Sequence, residues 1–205
     1  MGIIQNIIET PLCKLAFKYG TDKCPKIRHS YTPFYYELFK DRREKVKKLL
    51  EIGIGFKRTK PGKQYDKYQV GASLMMWRDF FPNAEIYGID IHPDTFIKGE
   101  RIHTYYCDQS DKEQLEALIK KIGSDIDIVI DDGSHIHQHQ VISARVLMPL
   151  LQKDVAYLIE DVQYPDTVTK RLGNYNCMMI QFPFSTYRNM KNNIHNDRII
   201  FVKNK

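Results

Sequence analysis

Apolar residues in this chain fall into short runs, separated by longer segments in which they recur at helical spacing. The runs at residues 48–54 (KLLEIGI), 85–91 (EIYGIDI), 101–107 (RIHTYYC), 126–131 (IDIVID) and 155–159 (VAYLI) read as strands. Helices are predicted at 3–18, interrupted by Pro11, and at 33–46, with Pro33 suited to a first turn. Further helices are predicted at 72–81, stopping before Pro82, and at 111–122, where Ser110 is the expected N-cap and Glu113 its capping-box partner. The last is predicted at 138–151, with Val141, Ile142, Val146 and Leu150 on one side. Residues 55–70 form a polar, basic loop, and 177–182 and 198–203 read as a terminal strand pair. There is no internal repeat and no low-complexity segment. Strand and helix patterns alternate, which predicts an α/β fold on a parallel sheet.

Acidic residues mark the strand ends. Glu51 lies within the first run, Asp90 in the second, and Asp108 just after the third. Asp131 and Asp132 end the fourth, and Glu160 and Asp161 follow the fifth. In an open parallel sheet, ligands bind at the carboxyl ends of the strands. Turns favour Asp at any single end; acid at every end points to a polyhydroxyl or cationic ligand. The first turn, LLEIGIGF (49–56), matches only part of the dinucleotide fingerprint. Gly53 and Gly55 fit, but Arg58 stands where the third glycine belongs, and a basic loop replaces the expected helix. Glu51 suits a ligand with a cationic group, as S-adenosylmethionine has in its sulfonium and α-ammonium. Asp90 is placed for ribose hydroxyls, and Asp108 with Gln109 for an adenine edge. That is the general layout of class I methyltransferases. Ser73 could bond the donor's carboxylate at a helix N-terminus.

Several segments, in order, resemble the metal-dependent O-methyltransferases that act on macrolide-linked sugars: LLEIGIG, GASLMMWRDFFPNAEIYGIDI, CDQSD, IDIVIDDGSH and YLIEDV. KYGTDK (18–23) with His29, Tyr31 and Tyr35 is similar to that family's lead-in. The resemblance covers most of residues 18–162. It implies a Rossmann-like class I methyltransferase fold: a mostly parallel seven-stranded sheet, helices on both faces, and an antiparallel C-terminal pair. Residues 1–46 would be a helical lead-in or lid, and 47–205 the donor-binding unit. The resemblance also implies S-adenosylmethionine and Mg²⁺ or Mn²⁺ as cofactors, and a sugar or nucleotide-sugar hydroxyl as acceptor. It maps the metal ligands to Asp132, Glu160 and Asp161, the general base to His135, and Asp131 to the donor side. Thr21, Asp22, Lys23 and His29 would close over donor or acceptor.

The chemistry agrees with that mapping. Methyl transfer to a hydroxyl is helped by a cation that acidifies the hydroxyl and by a base that takes its proton. The implied sheet order sets the fourth and fifth strands side by side, with ends about 4.8 Å apart. Carboxylates crowded there raise one another's pKa, and a hard cation relieves the conflict. All-oxygen ligation favours Mg²⁺ or Mn²⁺ over zinc. His135, His137 and His139 do not read as a zinc cluster, because helical residues two apart do not share a face. His137 and His139 are expected on a loop or helix surface, and His92, His103 and His195 as ordinary residues. Tyr31, Phe34, Tyr35, Tyr36 and Trp77 read as packing.

Composition narrows the alternatives. The 205 residues suit one domain with a real core. The net charge of +6, concentrated at 41–48, 57–67 and the tail, serves solubility or draws an anionic acceptor. No nucleic-acid motif is present. The four cysteines form no CxxC pair, which suits a reducing compartment. MGIIQNIIET is not a secretory signal, Asn6 breaks a myristoylation motif, and no apolar run is long enough to span a membrane. A cytoplasmic protein is expected, and a homo-oligomer is compatible with the sequence. Rival readings are an O-methyltransferase of a catechol-like or phosphorylated acceptor, and a non-catalytic glycan- or RNA-binding module on the same fold.

Overall fold

The computed structural model describes residues 9–55, 69–182 and 197–205. The expected helical segment before residue 9, most of the basic loop and His195 lie outside the described residues. Seven strands form one sheet among them: β1 (Lys48–Ile52), β2 (Glu85–Asp90), β3 (Ile102–Tyr106), β4 (Ile128–Asp131), β5 (Ala156–Ile159), β6 (Asn176–Gln181) and β7 (Arg198–Lys203). Their order is β3-β2-β1-β4-β5-β7-β6. The first five are mutually parallel, whereas β7 runs antiparallel to β5 and β6 antiparallel to β7. The fold is therefore the Rossmann-like, seven-stranded arrangement that the sequence implied. The chain winds outward from β1 through β2 and β3, then returns to place β4 on β1's other side. Such a reversal opens a crevice at the strands' carboxyl ends.

Among the described residues, six α-helices cover the two faces: α1 (Pro11–Tyr19), α2 (Tyr31–Phe39), α3 (Ala72–Phe80), α4 (Lys112–Ile122), α5 (His137–Leu147) and α6 (Pro165–Arg171). Leu12, Tyr35, Phe39, Trp77 and Phe80 from α1–α3 share one buried cluster with Leu49, Ile128, Ile130 and Leu158 of the sheet. Leu115, Ile119, Val141 and Leu147 share the other with Leu50, Val129 and Ile159. Alternate strand residues thus serve opposite cores, as the period of two requires.

Several boundaries differ from the sequence expectation. Pro11 opens α1, with Thr10 as N-cap and Gly20 ending the helix at φ 78. A proline is tolerated there because a first-turn N–H needs no helical acceptor. α2 starts two residues before Pro33 and stops at Phe39, because the following DRREK has no apolar side to bury. Asp111, not Ser110, caps α4: it accepts from the Gln114 backbone N–H at 3.1 Å, and Gln114 Nε2 returns a bond at 2.7 Å. Ser110 instead bonds to Asp108. α5 ends at Leu147, and Pro149 sits in a short 3₁₀ turn that leaves Leu150 exposed. Its buried side is Gln140, Val141, Ser143, Ala144 and Leu147. α6 was not expected.

Candidate active site

A cleft of about 560 Å³ opens at the carboxyl ends of β1, β2 and β4. Strand alternation decides which acids reach it. Along β1, Leu50 and Ile52 face α4 and α5, so Glu51 faces α2 and α3. It is fully buried there, and burial raises its pKa to about 7 against the opposing pull of Lys23, Ser73 and Trp77. Neither oxygen has a hydrogen-bond partner among the described residues. Ser73, in the first turn of α3, is buried beside Glu51 and does not line the cleft.

Asp131 has the opposite parity and faces α5. It is fully buried, accepting from Ser143 Oγ at 2.6 Å and Gln109 Nε2 at 3.0 Å. Burial raises its pKa. Gln109 does line the cleft, and its Oε1 accepts from the Ser134 backbone N–H at 2.6 Å. The pair Asp131–Gln109 therefore pins the turn that follows β4. Gly53 faces that turn at φ +89, and a Cβ there would lie 2.3 Å from the Asp132 carbonyl oxygen. Only glycine allows so close an approach.

Asp90 and Asp108 both line the cleft. Asp90 accepts from the backbone N–H of Ile54 at 3.0 Å and of His92 at 2.9 Å. Asp108 Oδ1 accepts from the hydroxyl and backbone N–H of Ser110, which lower its pKa. Gly53, Asp90, Asp108 and Gln109 are thus brought together on the wall, while Glu51, Ser73 and Asp131 lie behind it.

Ligand atoms of Asp132, His135 and Asp161 lie within 4.8 Å of one another. His135 and Asp161 adopt left-handed backbone, at φ 57 and φ 52, conformations that non-glycine residues rarely hold without a constraint. His135 Nε2 is 4.0 Å from Asp161 Oδ2, and its Nδ1 is buried with no partner among the described residues. Glu160 stands next to this group, but its carboxylate is engaged elsewhere: Oε2 accepts from Lys23 Nζ at 2.5 Å and Oε1 from Tyr35 Oη at 2.6 Å. Burial raises the Glu160 pKa well above its ordinary value, against Lys23. Asp161 Oδ1 accepts from Tyr31 Oη at 2.5 Å, and burial raises its pKa against His29. His137 packs edge-on to Tyr164, and His139 Nδ1 lies 3.0 Å from Ser134 Oγ.

Two features had no local signal in the sequence. The lead-in inserts Lys23 between carboxylates 109 and 137 residues away. His29 Nδ1 lies 2.6 Å from Asp197 Oδ1, and its buried Nε2 is 3.6 Å from Asp161 Oδ2. Burial favours the neutral ring of His29, but Asp197, Asp161 and Asp22 outweigh it and raise its pKa.

The donor set suits a divalent cation. Asp132, after β4, and Asp161, after β5, offer hard oxygens, and Glu160 stands beside them directly before Asp161.

No family model matches the chain. It is 39% identical over 151 residues to the mycinamicin VI 2''-O-methyltransferase of Micromonospora griseorubida, covering 74% of this chain and 36% of that protein. It is also 39% identical over 153 residues to the 8-demethyl-8-alpha-L-rhamnosyl tetracenomycin-C 2'-O-methyltransferase of Streptomyces olivaceus, covering 74% and 38%. The chain thus spans little more than a third of the length of these curated relatives. Among solved structures, it resembles the MycE methyltransferase of the mycinamycin biosynthetic pathway in complex with Mg and SAH. That match has a TM-score of 0.72 and 29% identity, over 95% of this chain and 54% of that one. Over the shared residues, the chain is a relative of the macrolide- and tetracenomycin-sugar O-methyltransferases, built on the class I methyltransferase fold.

Proposed function

We propose that the protein transfers a methyl group from S-adenosylmethionine to a sugar hydroxyl, with a divalent cation at the carboxylate cluster and His135 as general base. The observation that carries the reading is the convergence of Asp132, His135 and Asp161 at the mouth of a cleft where Gly53, Asp90, Asp108 and Gln109 form the wall. The named relatives methylate sugar hydroxyls, and the MycE structure holds Mg and SAH.

Asp90 receives the ribose hydroxyls, and Asp108 with Gln109 the adenine edge. Gly53 lets the backbone approach the donor closely. Glu51, Ser73 and Asp131 act from behind the wall, setting its charge and holding its turns. Asp132, Glu160 and Asp161 hold Mg²⁺ or Mn²⁺. The bound cation supplies Lewis acidity that lowers the pKa of the acceptor hydroxyl. His135 Nε2 takes the hydroxyl proton, and Asp161 beside it steadies the resulting imidazolium. The oxygen then attacks the methyl carbon while the carbon–sulfur bond electrons return to sulfur. Residues 1–46 act as a lead-in that brings Lys23 and His29 to the site, with 47–205 as the donor-binding unit.

The test is product mass after incubating the purified protein with labelled donor, Mg²⁺ and a panel of free, glycosidic and nucleotide-linked sugars. His135→Ala is expected to bind donor by calorimetry yet turn over about 10²–10⁴-fold more slowly. Absence of donor binding by the wild-type protein, or undiminished turnover after exhaustive chelation, would refute the respective parts.

A further inference from the structure

Lys23 is the only ammonium among the described residues that meets the carboxylate cluster, and it sits almost fully buried at its centre. Its Nζ lies 2.5 Å from Asp132 Oδ2, 2.5 Å from Glu160 Oε2 and 3.4 Å from Glu51 Oε1. The three acids belong to the ends of three adjacent strands and share the α2–α3 face by alternation.

The same contacts bear on cation binding. Both Glu160 oxygens already accept from buried donors, Lys23 and Tyr35. Each Glu160 oxygen keeps a lone pair for a cation shared with Asp132 and Asp161, but a cation there meets the Lys23 ammonium, which sits on oxygens of both Asp132 and Glu160. Tyr35 is neutral and fully buried, its ring packed edge-on against Trp77. Lys23 carries a charge that repels a metal, on a flexible four-carbon stem. Its backbone stays anchored while the head moves, because its carbonyl accepts from Tyr31 and Thr32 at the start of α2, at 3.1 and 3.0 Å.

We propose that Lys23 is a tethered counter-ion of the metal centre: its ammonium holds Asp132 and Glu160 in the cation-free protein, and an entering divalent cation takes both carboxylates from it. This rests on the reading that the carboxylates bind such a cation. The lysine keeps the acids from repelling one another while the site is empty, and it weakens the metal's hold by competing for the same oxygens.

Calorimetric titration of Lys23→Met with Mg²⁺ and Mn²⁺ tests it. The variant is expected to bind at least about tenfold more tightly than wild type. Its cation-free melting temperature should fall and recover when the metal is added. A second measurement needs no variant to fold: ¹⁵N-lysine spectra of the wild-type protein should show a slowly exchanging, buried ammonium signal that moves as Mg²⁺ is titrated in. Equal or weaker metal binding by a folded Lys23→Met, or a buried signal unmoved at saturating Mg²⁺, overturns the counter-ion role alone. Binding of neither metal by either protein overturns the metal reading and this inference with it.

Discussion

Asp131 and Asp132 are neighbours with unlike fates, and the difference is one of side-chain parity. Asp131 ends β4 with Val129's orientation and meets Ser143 and Gln109 under α5. Asp132 has Ile130's orientation and meets Lys23. Asp131→Ala would leave the buried Gln109 amide without its acceptor, at about 1–3 kcal/mol for the unsatisfied group, and the Ser143 hydroxyl with only the Gln140 carbonyl at 3.2 Å. Unfolding free energy, read from urea titration, is expected to fall by roughly 2–5 kcal/mol in Asp131→Ala and by about 1–3 kcal/mol in Ser143→Ala. Unchanged midpoints in both would show that this network does not hold the turn. Alternation was legible in IDIVIDD, and it would have assigned Asp131 to the inner face. The sequence could not show which helix covers that face, because Ser143 has no signature apart from its neighbours on α5. Lys23 was harder still. Its role depends on contacts across more than a hundred residues, and no local spacing encodes them.

At the scale of elements, strands and long helices were readable because their apolar periods are strong, while helix ends depended on individual side chains. The α2 terminus and the cap of α4 are such cases. The packing of α1 on α3 is another: Lys18 and Tyr19 at the end of one meet Asp79 near the end of the other. Partial burial works to raise the Asp79 pKa, yet bonds from Tyr19, Arg78 and Lys18 outweigh it and hold it at about 2. The ordinary value is 3.8. The folded protein therefore binds this proton more weakly than the unfolded chain does. The clamp's stabilisation is complete above that ordinary value and is lost as pH falls towards about 2. Asp79→Asn is expected to lower the melting temperature at neutral pH and to flatten its acid decline between about pH 4 and pH 2. A variant that retains the full wild-type acid slope would place that slope in other carboxylates.

At the scale of the molecule, the charge of the chain and the charge of its cleft have opposite signs. The chain carries a net +6. Among the described residues, the cleft presents Asp22, Asp90, Asp108, Asp132, Glu160 and Asp161 against the guanidinium of Arg28, with the Lys23 ammonium buried against Asp132 and Glu160. Arg28 is already paired with Asp22 at 3.2 Å. One divalent cation offsets only part of such a wall. An anionic acceptor would be drawn to the outside of the molecule and opposed at the site, whereas a neutral glycoside is not opposed and finds many hydrogen-bond acceptors for its hydroxyls. A neutral sugar is therefore expected to have a kcat/KM about tenfold above that of its phosphorylated counterpart at low ionic strength. The gap should narrow as salt shortens the screening length from about 30 Å at 0.01 M to about 8 Å at 0.15 M. Initial rates on matched sugar pairs across that salt range decide it. A preference for the phosphorylated sugar that disappears in Arg28→Gln would mean that one arginine, rather than the six acids, sets the acceptor's charge.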